Sequence, residues 1–181
     1  SSVAAEGNAA RVHPNDWIVA RGDGLLLGGG EGRTVAVLSG CFLPDGVTGD
    51  CSLSGQRVVN VEVPARTTGA MDRTSVAFPY SPLIHGIKPG RFSGTVSLKN
   101  EEPGGGVTRS APRPLQVTQV RPEVREFSPS AASLGQYVEI RGAGFIGGAP
   151  GQATLVRLSG VYVPEGETRM APVDLDMVVE Y

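Results

Sequence analysis

No run of Lys or Arg concentrates positive charge in this chain, and 16 basic against 18 acidic residues leave a formal net charge of −2. Phosphate backbones are gripped by clustered cations, so nucleic acid is not an expected partner. No apolar run reaches the about 18 residues that a membrane helix needs, so no membrane span is expected. The N-terminus lacks the charged-then-apolar plan of a signal peptide; if the protein is exported, its signal has been removed. Only two histidines, His13 and His85, are present to serve as conventional bases. With 26 Gly and 14 Pro, long helices are disfavoured, because Gly raises the entropic cost of order and Pro removes a backbone donor. The 40% hydrophobic content nevertheless fits a folded chain.

What the sequence does contain, it contains twice. The window from Trp17 to Gly46 aligns without a gap to Tyr137 to Gly166 at an offset of 120, with ten of thirty positions identical. Arg21-Gly22-Asp23-Gly24-Leu25 returns as Arg141-Gly142-Ala143-Gly144-Phe145, and Leu38-Ser39-Gly40 to Pro44-Asp45-Gly46 returns as Leu158-Ser159-Gly160 to Pro164-Glu165-Gly166. Self-similarity at a fixed spacing is the mark of a repeated module. Residues 13–121 are expected to form the first module and 122–181 a second, truncated one. Residues 1–12, Ala- and Ser-rich without apolar periodicity, read as a flexible leader.

Short β-rich runs bounded by turn residues predict strands at Trp17–Arg21, Thr34–Leu38, Val58–Val63, Ser75–Phe78, Gly90–Leu98 and Leu115–Val120. The first two are expected to be buried. Alternation places Val59, Val61 and Val63 on one face, and Phe92, Gly94, Val96 and Leu98 on another. In the second copy the expected strands are Tyr137–Arg141, Ala153–Leu158 and Val173–Val179, and nothing there corresponds to the Phe92 and Leu115 strands. Several short strands at this spacing predict an all-β, antiparallel sandwich architecture. Arg121-Pro122-Glu123-Val124-Arg125-Glu126 reads as a short, semi-rigid junction.

Cys41 and Cys51, the only cysteines, flank the turn-rich loop Pro44–Asp50. Their spacing predicts a loop-closing disulfide worth on the order of 2–3 kcal/mol, which implies an oxidising compartment. Two unrelated thiols are the alternative. Zinc is disfavoured, because a structural site takes four ligands and only the two histidines could supplement the pair.

The segment Phe127-Ser128-Pro129 through Leu134-Gly135-Gln136-Tyr137-Val138-Glu139-Ile140-Arg141-Gly142-Ala143-Gly144-Phe145 resembles the opening of IPT/TIG domains, the immunoglobulin-like folds of plexins, some transcription factors and many bacterial surface proteins. Those domains begin with a Ser-Pro turn, a Gly, a strand and a Gly-x-Gly-Phe turn. The resemblance covers residues 123–166 and reaches the first copy only through the repeat. It implies tandem immunoglobulin-like antiparallel β-sandwiches, the second incomplete in this chain. Gly142 and Gly144 then make the turn after the strand, as Gly22 and Gly24 do in the first copy, and Phe145 drops into the core as an anchor.

Few residues promise chemistry. Arg21-Gly22-Asp23 spells an integrin-binding tripeptide, but Ala143 replaces the Asp in the second copy, and a structural turn explains both. Gly28-Gly29-Gly30-Glu31-Gly32 resembles a phosphate-cradling loop without the Gly-Lys-Ser/Thr that would follow; a hairpin tip is expected. A serine hydrolase needs a base oriented by a carboxylate, and no local signature supplies one. Asp45 with Asp50, and Asp174 with Asp176, are candidate calcium oxygens or ordinary surface charge. No catalytic residue, cofactor or metal is therefore expected.

The expected function is a non-catalytic extracellular, cell-surface or periplasmic module acting as a spacer, adhesion or assembly element, with a protein or surface glycan as partner. Self-association through the edge of the incomplete sandwich is one route. A carbohydrate-gripping accessory module of a secreted enzyme and a strand-lending filament subunit are the alternatives. For a sugar platform the chain offers Trp17, Tyr80, Tyr137, Tyr162 and Tyr181, of which Trp17, Tyr137 and Tyr162 are expected in the core.

Overall fold

The computed structural model describes residues 10–49, 51, 54–69, 72–132, 135–146 and 153–178. These form thirteen strands and one 3-10 turn, at Gly29–Glu31, with no α-helix among the described residues. The chain divides into two compact units, Ser1–Gly144 and Phe145–Tyr181.

The first unit holds β1 (Ala10–Val12), β2 (Trp17–Arg21), β3 (Arg33–Pro44), β4 (Gln56–Pro64), β5 (Arg66–Thr67), β6 (Ser75–Pro79), β7 (Gly90–Glu101), β8 (Val107–Arg109), β9 (Arg113–Gln119), β10 (Glu123–Ser128) and β11 (Glu139–Ala143). One sheet runs β1-β9-β7-β3-β4, with β8 also on β7; a second runs β2-β6-β5, and β10 pairs with β11. All pairings are antiparallel except that of β1 with β9. A single apolar cluster draws on both larger sheets, with Ala20, Val76 and Phe78 from one and Ala36, Leu38, Phe42, Phe92, Val96, Leu115 and Val117 from the other.

Each expected strand overlaps an observed one, but four expectations need correction. Residues 10–12 of the expected leader form β1, with Val12 buried; a three-residue strand leaves no periodicity to read, and its partner lies over a hundred residues away. Residues 1–9 lie outside the described set. Strand β2 forms as expected, yet only Ala20 is buried and Trp17 is 53% exposed, because the outer face of the three-stranded sheet has no layer above it among the described residues of this unit. Val58 rather than Val59 points inward, since the register slips between Leu38 and Gly40 and Asn60 takes φ +49°. A bulge inverts the phase of a strand in this way. The Gly28–Gly32 segment is not a hairpin tip: it lies between β2 of one sheet and β3 of the other.

Gly40 and Gly94, direct partners on β3 and β7, leave no room for side chains between the strands. A Cβ on Gly40 would lie 2.5 Å from the Ser93 carbonyl oxygen and 3.0 Å from the Phe92 ring. Only a hydrogen there lets Phe92 fold across the strand pair into the core.

The second unit holds β12 (Leu155–Tyr162) and β13 (Ala171–Val178), an antiparallel pair. None of its described residues is buried.

Candidate functional site

The repeat in the sequence is also a repeat in the backbone. Positive φ angles recur at the offset of 120: Asn15 (69°) with Gly135 (80°), Gly24 (69°) with Gly144 (78°), and Gly46 (80°) with Gly166 (80°). Left-handed conformations are costly for most L-residues, so their recurrence marks one chain path used twice. The hydrogen bonds follow. The Val47 N–H donates to Pro44 O at 3.1 Å, as Glu167 N–H does to Pro164 O at 3.1 Å, and Leu26 N–H donates to Thr34 Oγ1 at 3.0 Å, as Ile146 N–H does to Thr154 Oγ1 at 2.7 Å.

The threonine hydroxyl then diverges. Thr34 Oγ1 donates to Asn100 Oδ1 on β7 at 2.9 Å, whereas Thr154 Oγ1 donates back to Ile146 O at 2.8 Å. Every residue of β3 has a partner on β7, while among the described residues β12 pairs with β13 alone. Gly160, the counterpart of Gly40, has nothing within 4 Å of the Cβ it lacks. The second copy keeps the glycine without the neighbour strand that explains it in the first.

Its apolar face is open as well. Alternation along β12 puts Val156, Leu158, Gly160 and Tyr162 on one side, opposite Met177, Leu175, Val173 and Ala171. The other side carries Arg157, Ser159, Asp174 and Asp176 together with the exposed Leu155 and Val161. In the first copy the matching positions, Ala36, Leu38 and Phe42, are fully buried, yet Leu158 is 50% exposed and Tyr162 59%.

The structure distributes the remaining expected residues as follows. Cys41 and Cys51 are disulfide-bonded, with Cα atoms 5.6 Å apart. Val161 stands at the position matching Cys41, and the second hairpin connection is five residues shorter. Gly22 and Leu25 anchor the Arg21-Gly22-Asp23 turn by donating to Thr74 O and Arg73 O, and Leu25 is a core residue. Phe145 is not the core anchor expected: it is only half-buried. Tyr137 and Tyr162 are exposed rather than core, Tyr80 is buried, and Tyr181 lies outside the described residues. Asp174 is held by Arg157 through two bonds of 2.8 and 2.6 Å, which keeps its carboxyl below the usual range. Asp50 lies outside the described residues, and no acidic, His or Cys cluster among the described residues could hold a metal ion.

One buried polar pair escaped sequence reasoning. His85 stacks on Phe42 with ring centroids 3.6 Å apart, and its Nε2 shares a 2.6 Å hydrogen bond with Tyr80 Oη. Burial lowers the imidazole to about 4 and raises the phenol. Its Nδ1 is buried without a partner among the described residues. The isolated sequence Pro82-Leu83-Ile84-His85-Gly86 gives no sign of this, because the stacking partner is a distant Phe. The pair sits inside the core.

Comparison with protein-family models, with curated proteins and with solved structures yields no match to this chain.

Proposed function

We propose that this protein is a non-catalytic, extracellular assembly module of immunoglobulin-like sandwiches, whose second copy accepts an added strand along the edge of β12 that no described strand pairs. The carrying observation is the pair Gly40 and Gly160: the same glycine at the same place in the repeat, crowded by β7 in one copy and open in the other. Strand addition draws affinity from main-chain hydrogen bonds and specificity from alternate side chains. The chemistry of the incoming strand follows from β7, in which Phe92, Gly94, Val96 and Leu98 alternate toward the core. The immunoglobulin-like reading is supported by the two sheets that share one core and by the parallel β1–β9 edge. The disulfide is compatible with an extracellular location.

A synthetic peptide of residues 90–101 is the direct probe. It is expected to bind the chain, to suppress any concentration-dependent association seen by light scattering, and to lose its binding in Leu158→Asp. A chain that stays monomeric at high concentration and ignores the peptide overturns the proposal.

The accessory carbohydrate-binding reading gains one observation of its own. Trp17 lies at the surface with the Arg66 guanidinium 5.7 Å from its ring centroid, an arrangement able to stack on a sugar. A Trp17 fluorescence change on adding neutral oligosaccharides tests it.

A further inference from the structure

A groove in the first unit gathers charge that neither the disulfide loop nor the open sheet uses. It encloses about 490 Å³ and is lined by Arg11, His13, Val120, Arg121, Glu123 and Arg125. Two extended segments build it. Period-two alternation puts Arg11 and His13 on one side of the chain around β1, and Arg121, Glu123 and Arg125 on one side of the stretch leading into β10. Pro122 holds that stretch extended, and Val120 N–H donates to Val12 O at 2.8 Å, tying the two segments together.

The charges are unbalanced. Arg125 meets Glu123 at 3.5 Å, and His13 leans on Asp16 at 3.3 Å. Arg11 and Arg121 have no ion-pair partner among the described residues. Three guanidinium groups against one carboxylate, in a chain of net charge −2, form a local positive field. Arginine forks match planar and tetrahedral oxyanions in a bidentate way. Val120 is the only apolar lining residue, so the groove lacks the pockets by which peptides are usually gripped.

We propose that this groove binds an acidic polysaccharide through its carboxylate or sulfate groups, with Arg11 and Arg121 as the principal contacts and Glu123 as a brake on Arg125. The groove is built from residues of the first unit and β12 belongs to the second, so strand acceptance can fail while this holds, and the reverse.

Calorimetric titration of the whole chain tests it with three probes: a sulfated heparin-type oligosaccharide, oligogalacturonate and sodium sulfate. At least one of the two oligosaccharides is expected to bind more tightly than free sulfate, since adjacent anions engage several arginines together. Arg11→Gln with Arg121→Gln should weaken it by about tenfold or more, the usual worth of a charge-assisted hydrogen bond. Glu123→Gln should tighten it several-fold, an effect that a merely structural carboxylate would not produce. Arg21→Gln, on the outer face of β2, should change nothing, with thermal melting confirming that each variant is folded. Equal losses in Arg21→Gln and the double variant, no binding of either oligosaccharide, or tighter binding of a poly-glutamate peptide would each overturn the proposal.

Discussion

Strands β3 and β12 carry one sequence pattern in two environments. On β3, Ala36, Leu38 and Phe42 are sealed in the core, with β7 and β4 as neighbours; on β12, Leu158 and Tyr162 are exposed and Val156 is half-buried, with β13 the one neighbour strand among the described residues. Local chain path is nevertheless shared, down to the left-handed residues and the Leu26–Thr34 and Ile146–Thr154 hydrogen bonds. Turn chemistry and strand propensity are therefore sufficient to shape the segment, whereas burial depends on partners that sequence-local forces do not supply. The difference between the copies is one of coverage.

The strongest way to break this comparison is to fill the two glycines. Gly40→Val drives side-chain atoms into the Ser93 carbonyl and the Phe92 ring, and it should destabilise the first unit by at least about 3 kcal/mol, the scale of overpacking with backbone displacement. Gly160→Val meets open space and should leave the melting of the isolated chain unchanged while abolishing binding of the peptide of residues 90–101. Chemical denaturation followed by Trp17 fluorescence reads the first effect, and calorimetry reads the second. Equal destabilisation by both variants would mean that β12 is already covered.

How much of this was legible in the sequence depends on the range of the forces involved. Strands such as Gly90–Leu98 were readable because their alternation is local, and the turns at Gly24 and Gly144 because glycine tolerates the left-handed region. Strand β1 was not, since Ala10–Val12 is held by a parallel partner at Val117–Gln119. Nor was β10, whose sequence Glu-Val-Arg-Glu-Phe-Ser reads as a polar junction and becomes a strand by pairing with β11. Trp17 was placed in the core on its size alone, and the inward position of β2 belongs instead to the small Ala20. The open face of the second copy was legible only as missing counterparts of the Phe92 and Leu115 strands; which side chains it exposes depended on the register of β12 with β13.

Acid should sharpen the contrast by acting on the covered unit. His85 is held neutral, its pKa lowered to about 4 from 6.5 by burial. As pH falls below about 6.5 the unfolded chain takes up a proton that the folded chain refuses until about pH 4. Stability contributed by the neutral form is present above pH 6.5 and lost through that window, by on the order of 2–3 kcal/mol. Urea midpoints measured between pH 7 and 4 should fall accordingly. The paired variant Tyr80→Phe with His85→Phe, which leaves no orphaned hydroxyl, should flatten the slope in that window. The carboxyls of Glu31, Asp72 and Glu101, all lowered by hydrogen bonds from their neighbours, lose their contribution from the acid end of that window downward. A slope unchanged in the paired variant would place the acid sensitivity elsewhere.

The smallest effect tests whether the shared chain path is set by local conformation alone. Asn15 and Gly135 occupy the same left-handed position of the repeat, at φ 69° and 80°. Nothing lies within 4 Å of the Cβ that Gly135 lacks, so a substitution there meets no steric barrier beyond its own backbone. Gly135→Ala should therefore cost about 1 kcal/mol, the ordinary penalty of the left-handed region for an L-residue. Gly135→Asn should cost less, because asparagine tolerates that region and already serves in the first copy. Asn15→Gly should be close to neutral, the lost conformational penalty offsetting the added freedom of the unfolded chain. Denaturation midpoints of the three variants decide the matter: an alanine as harmless as asparagine would show that the left-handed turn at Gly135 is not required, and the two copies would then share sequence more closely than they share backbone.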